Sequence, residues 1–174
     1  MSSRPDRRPA ATEYEAYYSS YIDRTPDGPL VETMTAQIAE VDRTFRGLSP
    51  ERAGYRYAAG KWTIREVLGH LIDTERVFGY RAVSFSRADP APLPSFDQAL
   101  WNPAGRYDER PIGGLVDEWI ATRRATIAFA AALPDEAWNR TGIASGFPFT
   151  VRAALWILPG HVRYHLAHLA DRYR

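Results

Sequence analysis

The four histidines are the residues whose type and spacing in this sequence could do chemistry. His161 and His165 lie four positions apart in a segment of helical periodicity, so both imidazoles can point toward one place. His70 lies in an earlier helical segment, on the shoulder of its apolar face, and the later pair occupies the corresponding shoulder. Three neutral nitrogen donors with one open coordination position are typical of a catalytic zinc site, or of a nickel or similar site.

Spacing alone leaves other interpretations of these residues open. His168 follows His165 by three positions, so these two side chains could pair instead. A histidine pair is a weak motif by itself, and a single histidine such as His70 is more often a hydrogen-bonded interior residue than a ligand. Asp73 and Glu66 flank His70 at helical spacing, and either carboxylate could accept its second N–H. Glu66 also fits a helix cap, and Asp73 also fits a solvated helix face.

Four long amphipathic helices are predicted to carry these residues, which indicates an all-α, antiparallel four-helix bundle. Thr63 and Glu66 form a capping box at the start of the second helix, and Thr150 is the predicted N-cap of the last. Pro159 and Gly160 are expected to interrupt and kink the last helix directly before the histidine pair. Apolar residues at steps of three and four predict helices over residues 30–45, 63–86, 112–133 and 150 to near the chain end.

The remaining segments are predicted to be short or irregular. A short aromatic helix is expected over residues 13–22, after a disordered tail at residues 1–11, so that residues 12–174 form a single domain. A proline-rich loop over residues 88–110 connects the second and third long helices, and no strand pattern stands out. The short helix and the loop are expected to supply a pocket wall, with these candidates: Tyr17, Tyr18, Phe96 and Trp101.

Composition excludes several classes of function. Lys and Arg total 22 against 21 Asp and Glu, so no net field gathers nucleic acid or a membrane surface. The absence of cysteine excludes disulfides and a nucleophilic thiol of the chain itself. No apolar run is long enough to span a bilayer and no signal segment precedes the first helix, so we expect a cytoplasmic location.

Two segments resemble the DinB-like (damage-inducible) superfamily of helical bundles. They are GKWTIREVLGHLIDTE, which contains His70, and HVRYHLAHL, which contains His161 and His165. The resemblance is greatest to a branch of metal-dependent hydrolases that includes bacillithiol S-transferases. It implies a four-helix bundle, often a homodimer, with one divalent metal, zinc or nickel, bound to His70, His161 and His165 of each chain. It also implies that His168 lies near the metal without binding it.

The resemblance implies two versions of metal-assisted chemistry on a small-molecule substrate. In a hydrolase the nucleophile is a metal-bound water, whereas in an S-transferase it is the thiolate of an exogenous low-molecular-weight thiol. One alternative is a non-catalytic metal- or ligand-binding protein of stress response on the same scaffold. A second alternative is a helical interaction module with buried histidines. None of these interpretations requires a nucleic-acid or membrane partner.

Overall fold

Four long helices form the bundle that positions the histidines. In a computed structural model that describes residues 7–174, α2 spans Leu30–Phe45, α4 spans Ile64–Ser86, α6 spans Ile112–Ala131 and α7 spans Val151–Arg172. Helix α4 packs against both α6 and α7, and α6 packs in turn against α2. This confirms the predicted four-helix bundle, with α6 ending two residues earlier than expected.

The two helices that carry the histidines begin where the capping residues predict. Thr63 Oγ1 accepts a hydrogen bond from Glu66 N at 3.1 Å, and the Glu66 carboxylate accepts one from Thr63 N at 2.7 Å. This reciprocal pair satisfies two backbone donors at the start of α4. Thr150 Oγ1 accepts a hydrogen bond from Ala153 N at 3.0 Å and caps α7 in the same way.

The N-terminal segment differs from the single short helix predicted over residues 13–22. It consists of 3₁₀ turns at Ala11–Glu13 and Ala16–Tyr18, followed by the short helix α1, Ser19–Ile22. Tyr14 is extended, with φ of −155°, and the Glu15 carboxylate accepts a hydrogen bond from Tyr17 N at 2.7 Å, so a new turn begins there. Extended backbone at residue 14 is the reason that one continuous helix does not form.

The predicted disordered tail is only partly described. Residues 1–6 lie outside the described residues. Arg8 is held against the body of the protein, because its guanidinium donates to Ile22 O at 2.8 Å and to Thr25 O at 2.9 Å. The described part of the predicted tail, residues 7–11, therefore packs on the bundle instead of leaving it.

Segments outside the long helices contain regular structure. The connection between α2 and α4 contains the short helix α3, Pro50–Ala53, and the proline-rich loop after α4 contains the short helix α5, Gln98–Ala104. Before α7, strands β1, Thr141–Ala144, and β2, Phe147–Thr150, pair antiparallel. Ser145 and Gly146 join them with φ of 55° and 83°, the positive values that a tight two-residue hairpin requires. The expectation of no strand is therefore wrong, because a Ser-Gly turn between two four-residue strands gives only a weak pattern.

Two apolar clusters make up the core, and a layer of buried polar side chains separates them along the helices. One cluster includes Met34, Phe85 and Trp156, and the other includes Phe45, Leu68 and Trp119. No helix within residues 7–174 is apolar over enough length to cross a membrane. We call the separating side chains the polar layer, which consists of Gln37, Thr74, Glu75, Arg123 and His161.

Glu13 joins the N-terminal turns to the start of α7. Its carboxylate accepts hydrogen bonds from Thr150 Oγ1 at 2.9 Å and from the buried guanidinium of Arg152 at 2.8 Å. Burial would raise the pKa of Glu13, but hydrogen bonds from Ala10 N and Thr150, together with the charge of Arg152, lower this pKa on balance. The folded protein therefore stabilises the charged carboxylate.

Acid should remove the contribution of Glu13 to stability. Because the folded pKa lies below the unfolded one, the stabilisation is complete above the ordinary glutamate pKa of about 4.3 and is lost as the pH falls through the folded value. Glu13→Gln should therefore flatten the fall in unfolding free energy below about pH 4.3, measured by urea unfolding at several pH values. The control Glu136→Gln should change nothing, because that side chain is 69% exposed. An acid profile identical to wild type for Glu13→Gln would contradict this prediction.

Candidate metal centre

Three imidazoles from two helices converge at the polar layer, to which His161 itself belongs. His70 lies on α4, and His161 and His165 lie one turn apart on α7, the helix packed against it. The Nε2 atoms of His70 and His161 are 3.0 Å apart, and those of His161 and His165 are 3.1 Å apart. One nitrogen from each ring lies within 4.8 Å of the others, a group that could hold a metal ion. The structure thus brings together the three histidines that the sequence analysis singled out.

The nitrogen separations fit a shared cation better than hydrogen bonds between the rings. A single imidazole nitrogen carries either one proton or one lone pair, so His161 Nε2 cannot satisfy both neighbours at once. Metal–nitrogen bonds of about 2.0–2.1 Å put ligand nitrogens about 3.3 Å apart in a tetrahedral site and about 2.9 Å apart at adjacent octahedral positions. The observed values of 3.0 and 3.1 Å lie between these limits. The donor set therefore suits a divalent metal such as zinc or nickel.

Burial keeps these histidines in the neutral form that a metal ligand needs. It lowers the pKa of His70 to about 4 and, with the nearby His70 and His168, that of His165 to about 3. Burial and the neighbouring imidazoles also hold the pKa of His161 well below its usual range. At neutral pH all three rings can therefore offer lone pairs without first losing a proton.

Aromatic side chains fix the orientation of each imidazole. The Trp62 ring lies against His70, with centroids 5.0 Å apart. Tyr21 makes an edge contact with His161 at 5.1 Å, and Tyr164 makes one with His165 at 5.2 Å. Trp62 precedes the cap of α4, whereas Tyr21 belongs to α1, so the N-terminal segment forms part of the centre.

Helix α7 continues through Pro159 and Gly160, and the predicted interruption is wrong. The helix is unbroken over Val151–Arg172, and other segments bond two of its carbonyls around the proline. Gln37 Nε2 donates to Pro159 O at 2.9 Å, and Thr25 Oγ1 donates to Trp156 O at 2.9 Å. A Cβ atom on Gly160 would lie 1.8 Å from the carbonyl oxygen of Tyr21. The glycine thus lets α1 approach α7 directly beside His161.

A buried ion pair links three helices to the turn that precedes His161. Arg123 on α6 donates to both carboxylate oxygens of Glu75 on α4, at 2.9 and 2.8 Å. It also donates to Gln37 Oε1 on α2 at 2.7 Å, and Gln37 in turn donates to Pro159 O. The chain of contacts connects the polar layer to the backbone of α7 two residues before a candidate ligand. These residues were not recognised from the sequence, where each resembles an ordinary polar surface residue.

The residues predicted to support the metal ligands, Glu66, Asp73 and His168, make contacts with other side chains and backbone groups. Glu66 is held by the capping box, and the Asp73 carboxylate accepts a hydrogen bond from the Tyr107 hydroxyl. His168 packs against Tyr57, with ring centroids 5.6 Å apart, and lines a shallow depression that His165 also borders. Each carboxylate thus has a hydrogen-bond partner other than His70, and a role for either in orienting His70 stays a prediction.

A cavity of about 390 Å³ opens beside His70 and His161. The hairpin and the proline-rich loop close one side, because Leu93 N donates to Ile143 O at 2.8 Å and Leu93 O accepts from Ser145 N at 3.0 Å. Trp101 does not line this cavity; it packs on Phe96, with centroids 5.3 Å apart. The predicted wall residues that do line it are Tyr17, Tyr18 and Phe96.

Sequence reasoning missed several residues of this cavity, among them Tyr21, Thr74 and Arg81. Thr74 and Arg81 lie four and eleven positions after His70, which places all three on one face of α4. That helical spacing is the signal by which the two side chains could have been found.

Comparison with known proteins gives the chain a family. The profile of the DinB superfamily matches residues 33–169. An Oceanobacillus iheyensis protein named "Putative metal-dependent hydrolase OB0413" is 24% identical over 142 residues, which cover 80% of this chain and 79% of that protein. The fold is similar to that of YfiT from Bacillus subtilis, described as "a probable metal-dependent hydrolase with an unusual four-helix bundle topology", with a TM-score of 0.71, 18% identity and 82% of each chain covered. This chain belongs to the DinB superfamily.

Proposed function

We propose that this protein is a metal-dependent hydrolase whose three imidazoles, from His70, His161 and His165, bind one divalent cation. The observation that carries the proposal is the convergence of three Nε2 atoms, two pairs of which lie 3.0 and 3.1 Å apart. The names of the two relatives, each a metal-dependent hydrolase by description, support the same class of activity. The substrate is a small molecule, because the adjoining cavity holds about 390 Å³.

The chain's own residues prepare the site for this reaction. A divalent cation bound to three nitrogen ligands supplies Lewis acidity, which polarises a carbonyl or phosphoryl group and acidifies water. His161 is held by the turn that Gln37 anchors, and His70 is held by the Trp62 ring, so two ligand rings need little reorganisation. Tyr17, Tyr18 and Phe96 restrict the access of bulk water to the cavity beside them.

Metal titration combined with a hydrolysis assay tests the proposal. Purified full-length protein would be stripped with a chelator, desalted and titrated with Zn²⁺ and Ni²⁺, then assayed on a panel of small esters, amides and phosphoesters. We expect one metal per chain and metal-dependent turnover in wild type. Losing a residue that only supports a metal ligand can weaken metal binding by roughly 100-fold. His161→Ala removes a ligand itself, so it should weaken metal binding by at least that factor. Turnover should fall to the background rate in the same variant.

His168→Ala is the matched control, since it removes an imidazole from the same helix outside the convergent group. It should retain one metal per chain and wild-type turnover. Equal turnover by wild type and by the variant lacking His70, His161 and His165 would show that the hydrolase proposal is wrong. Metal-dependent turnover that appears only when a low-molecular-weight thiol is added would assign the site to thiol transfer instead.

A further inference from the structure

Arg81 is a buried cation that faces the cavity without a carboxylate partner. It lies on α4, and its side chain is among the most buried of the described residues, with 2% of the residue exposed. Its Nη2 donates to Pro94 O and to Ser145 Oγ, each at 2.9 Å, and its guanidinium lies over the Phe78 ring, 4.9 Å from the ring centroid. These partners are neutral groups, so they satisfy hydrogen bonds without balancing the charge.

Two other buried arginines show how this fold treats such charges. Arg123 is paired with Glu75 at 2.8 Å, and Arg152 is paired with Glu13 at 2.8 Å. Within residues 7–174, no carboxylate lies within ion-pair distance of Arg81. An uncompensated buried charge costs roughly several kcal/mol. A cation left unpaired beside a cavity therefore indicates that a ligand supplies the anion.

Two polar atoms on this wall also lack hydrogen-bond partners among residues 7–174. They are Nη1 of Arg81 and Oγ1 of Thr74, and the latter residue is 3% exposed. Both residues line the same cavity as His70 and His161. Buried donors and acceptors in native proteins are nearly always satisfied, so this pair points to a bound group that accepts hydrogen bonds.

The positions of these residues along α4 indicate how far a bound anion would lie from the imidazoles. Thr74 lies one turn beyond His70, and Arg81 lies about 16 Å beyond it along the helix axis, at 1.5 Å per residue. Side chains on a helix lean toward its N-terminus, so Arg81 leans back toward His70. An anion bound at Arg81 would therefore leave room for a reacting group of the same molecule at the imidazoles.

We propose that the cavity binds small molecules through an anionic oxygen group, a carboxylate or a phosphate, whose oxygens accept hydrogen bonds from Arg81 and Thr74. That the molecule is also the substrate rests on the proposed hydrolase function, whereas the anion site itself does not. Asp97 lines the same cavity, but its carboxylate accepts hydrogen bonds from Ala99 N at 2.8 Å and Leu100 N at 3.4 Å. It is therefore engaged at the start of α5.

Calorimetric titration of the metal-free full chain tests the anion site without relying on activity. The probes are benzoate and phenyl phosphate, with neutral benzyl alcohol as the control ligand. Both anions should bind wild type, and Arg81→Met should weaken whichever binds more tightly by about tenfold or more, because a charge-assisted hydrogen bond is lost. Thr74→Val, which keeps the side-chain shape, should weaken it several-fold. The binding of benzyl alcohol should not depend on either residue.

Arg76→Met is the matched variant, since it removes an exposed guanidinium from the same helix, paired with Glu118 at 2.6 Å. It should bind both anions as wild type does. Failure of both anions to bind wild type, or equal anion affinity in wild type and Thr74→Val, would overturn the proposal even if Arg81→Met did not fold.

Metal titration of Thr74→Val and anion titration of His161→Ala separate the anion site from the proposed hydrolase function. Thr74→Val should lose only the anion, and His161→Ala should lose only the metal. The stronger of benzoate and phenyl phosphate identifies the class of anion.

Discussion

Replacing Arg123 by methionine is expected to lower the free energy of unfolding by about 3–5 kcal/mol, because the change leaves the buried Glu75 carboxylate without its partner. The same change removes the hydrogen bond that holds Gln37 Oε1. Since Gln37 also bonds Pro159 O, the backbone before His161 should become less constrained. Urea unfolding measures the first effect, and metal affinity measures the second.

Arg124→Met is the matched control for this prediction. Arg124 is the next residue of α6 but is exposed, so its loss should change the unfolding free energy by no more than about 0.5 kcal/mol. The double variant Arg123→Met with Glu75→Leu should recover part of the lost stability, because it removes the orphaned charge as well. Unfolding free energies of Arg123→Met and Arg124→Met that agree with each other would contradict the stabilising role of the ion pair.

Gly160→Ala is expected to have the second large effect, on the junction between α1 and α7. The added Cβ would lie 1.8 Å from Tyr21 O, and a backbone atom cannot move aside as the end of a side chain can. The segment that carries Tyr21 must therefore shift away from His161, at a cost of at least about 1–3 kcal/mol. We expect a lower melting temperature and faster proteolysis of the N-terminal segment.

Gly114→Ala in α6 provides the comparison for this substitution. No atom lies within 4 Å of the position that its Cβ would occupy, so the substitution should stabilise the protein by up to about 1 kcal/mol through helix propensity alone. If Gly160→Ala melted at or above the temperature of wild type, the close approach of α1 to α7 would not exist as described.

The long helices could be predicted because their signals are local. The capping box of Thr63 and Glu66 and the cap at Thr150 set the starts of α4 and α7 within a few residues of sequence. The hairpin could not be predicted as easily, since its strands are four residues long and are held partly by Leu93 from a distant loop. The turns of the N-terminal segment likewise depend on contacts that Arg8 and Glu13 make with distant residues.

The candidate site was predictable in part. Four-residue spacing places His161 and His165 on one side of a helix, but only the packing of α4 on α7 decides that His70 joins them and His168 does not. The buried arginines could not be recognised from the sequence for a related reason. Arg81, Arg123 and Arg152 look alike in sequence, and what distinguishes them is whether the fold places a carboxylate beside each one.

Anomalous diffraction from crystals soaked with zinc, recorded on both sides of its absorption edge, would show directly whether His70, His161 and His165 share one metal ion. We expect one peak per chain about 2.0–2.1 Å from the Nε2 atoms of His70, His161 and His165. A peak coordinated by His165 and His168, with His70 far from it, would show that the three-histidine site is wrong. So would the absence of any peak between α4 and α7 in crystals that contain zinc.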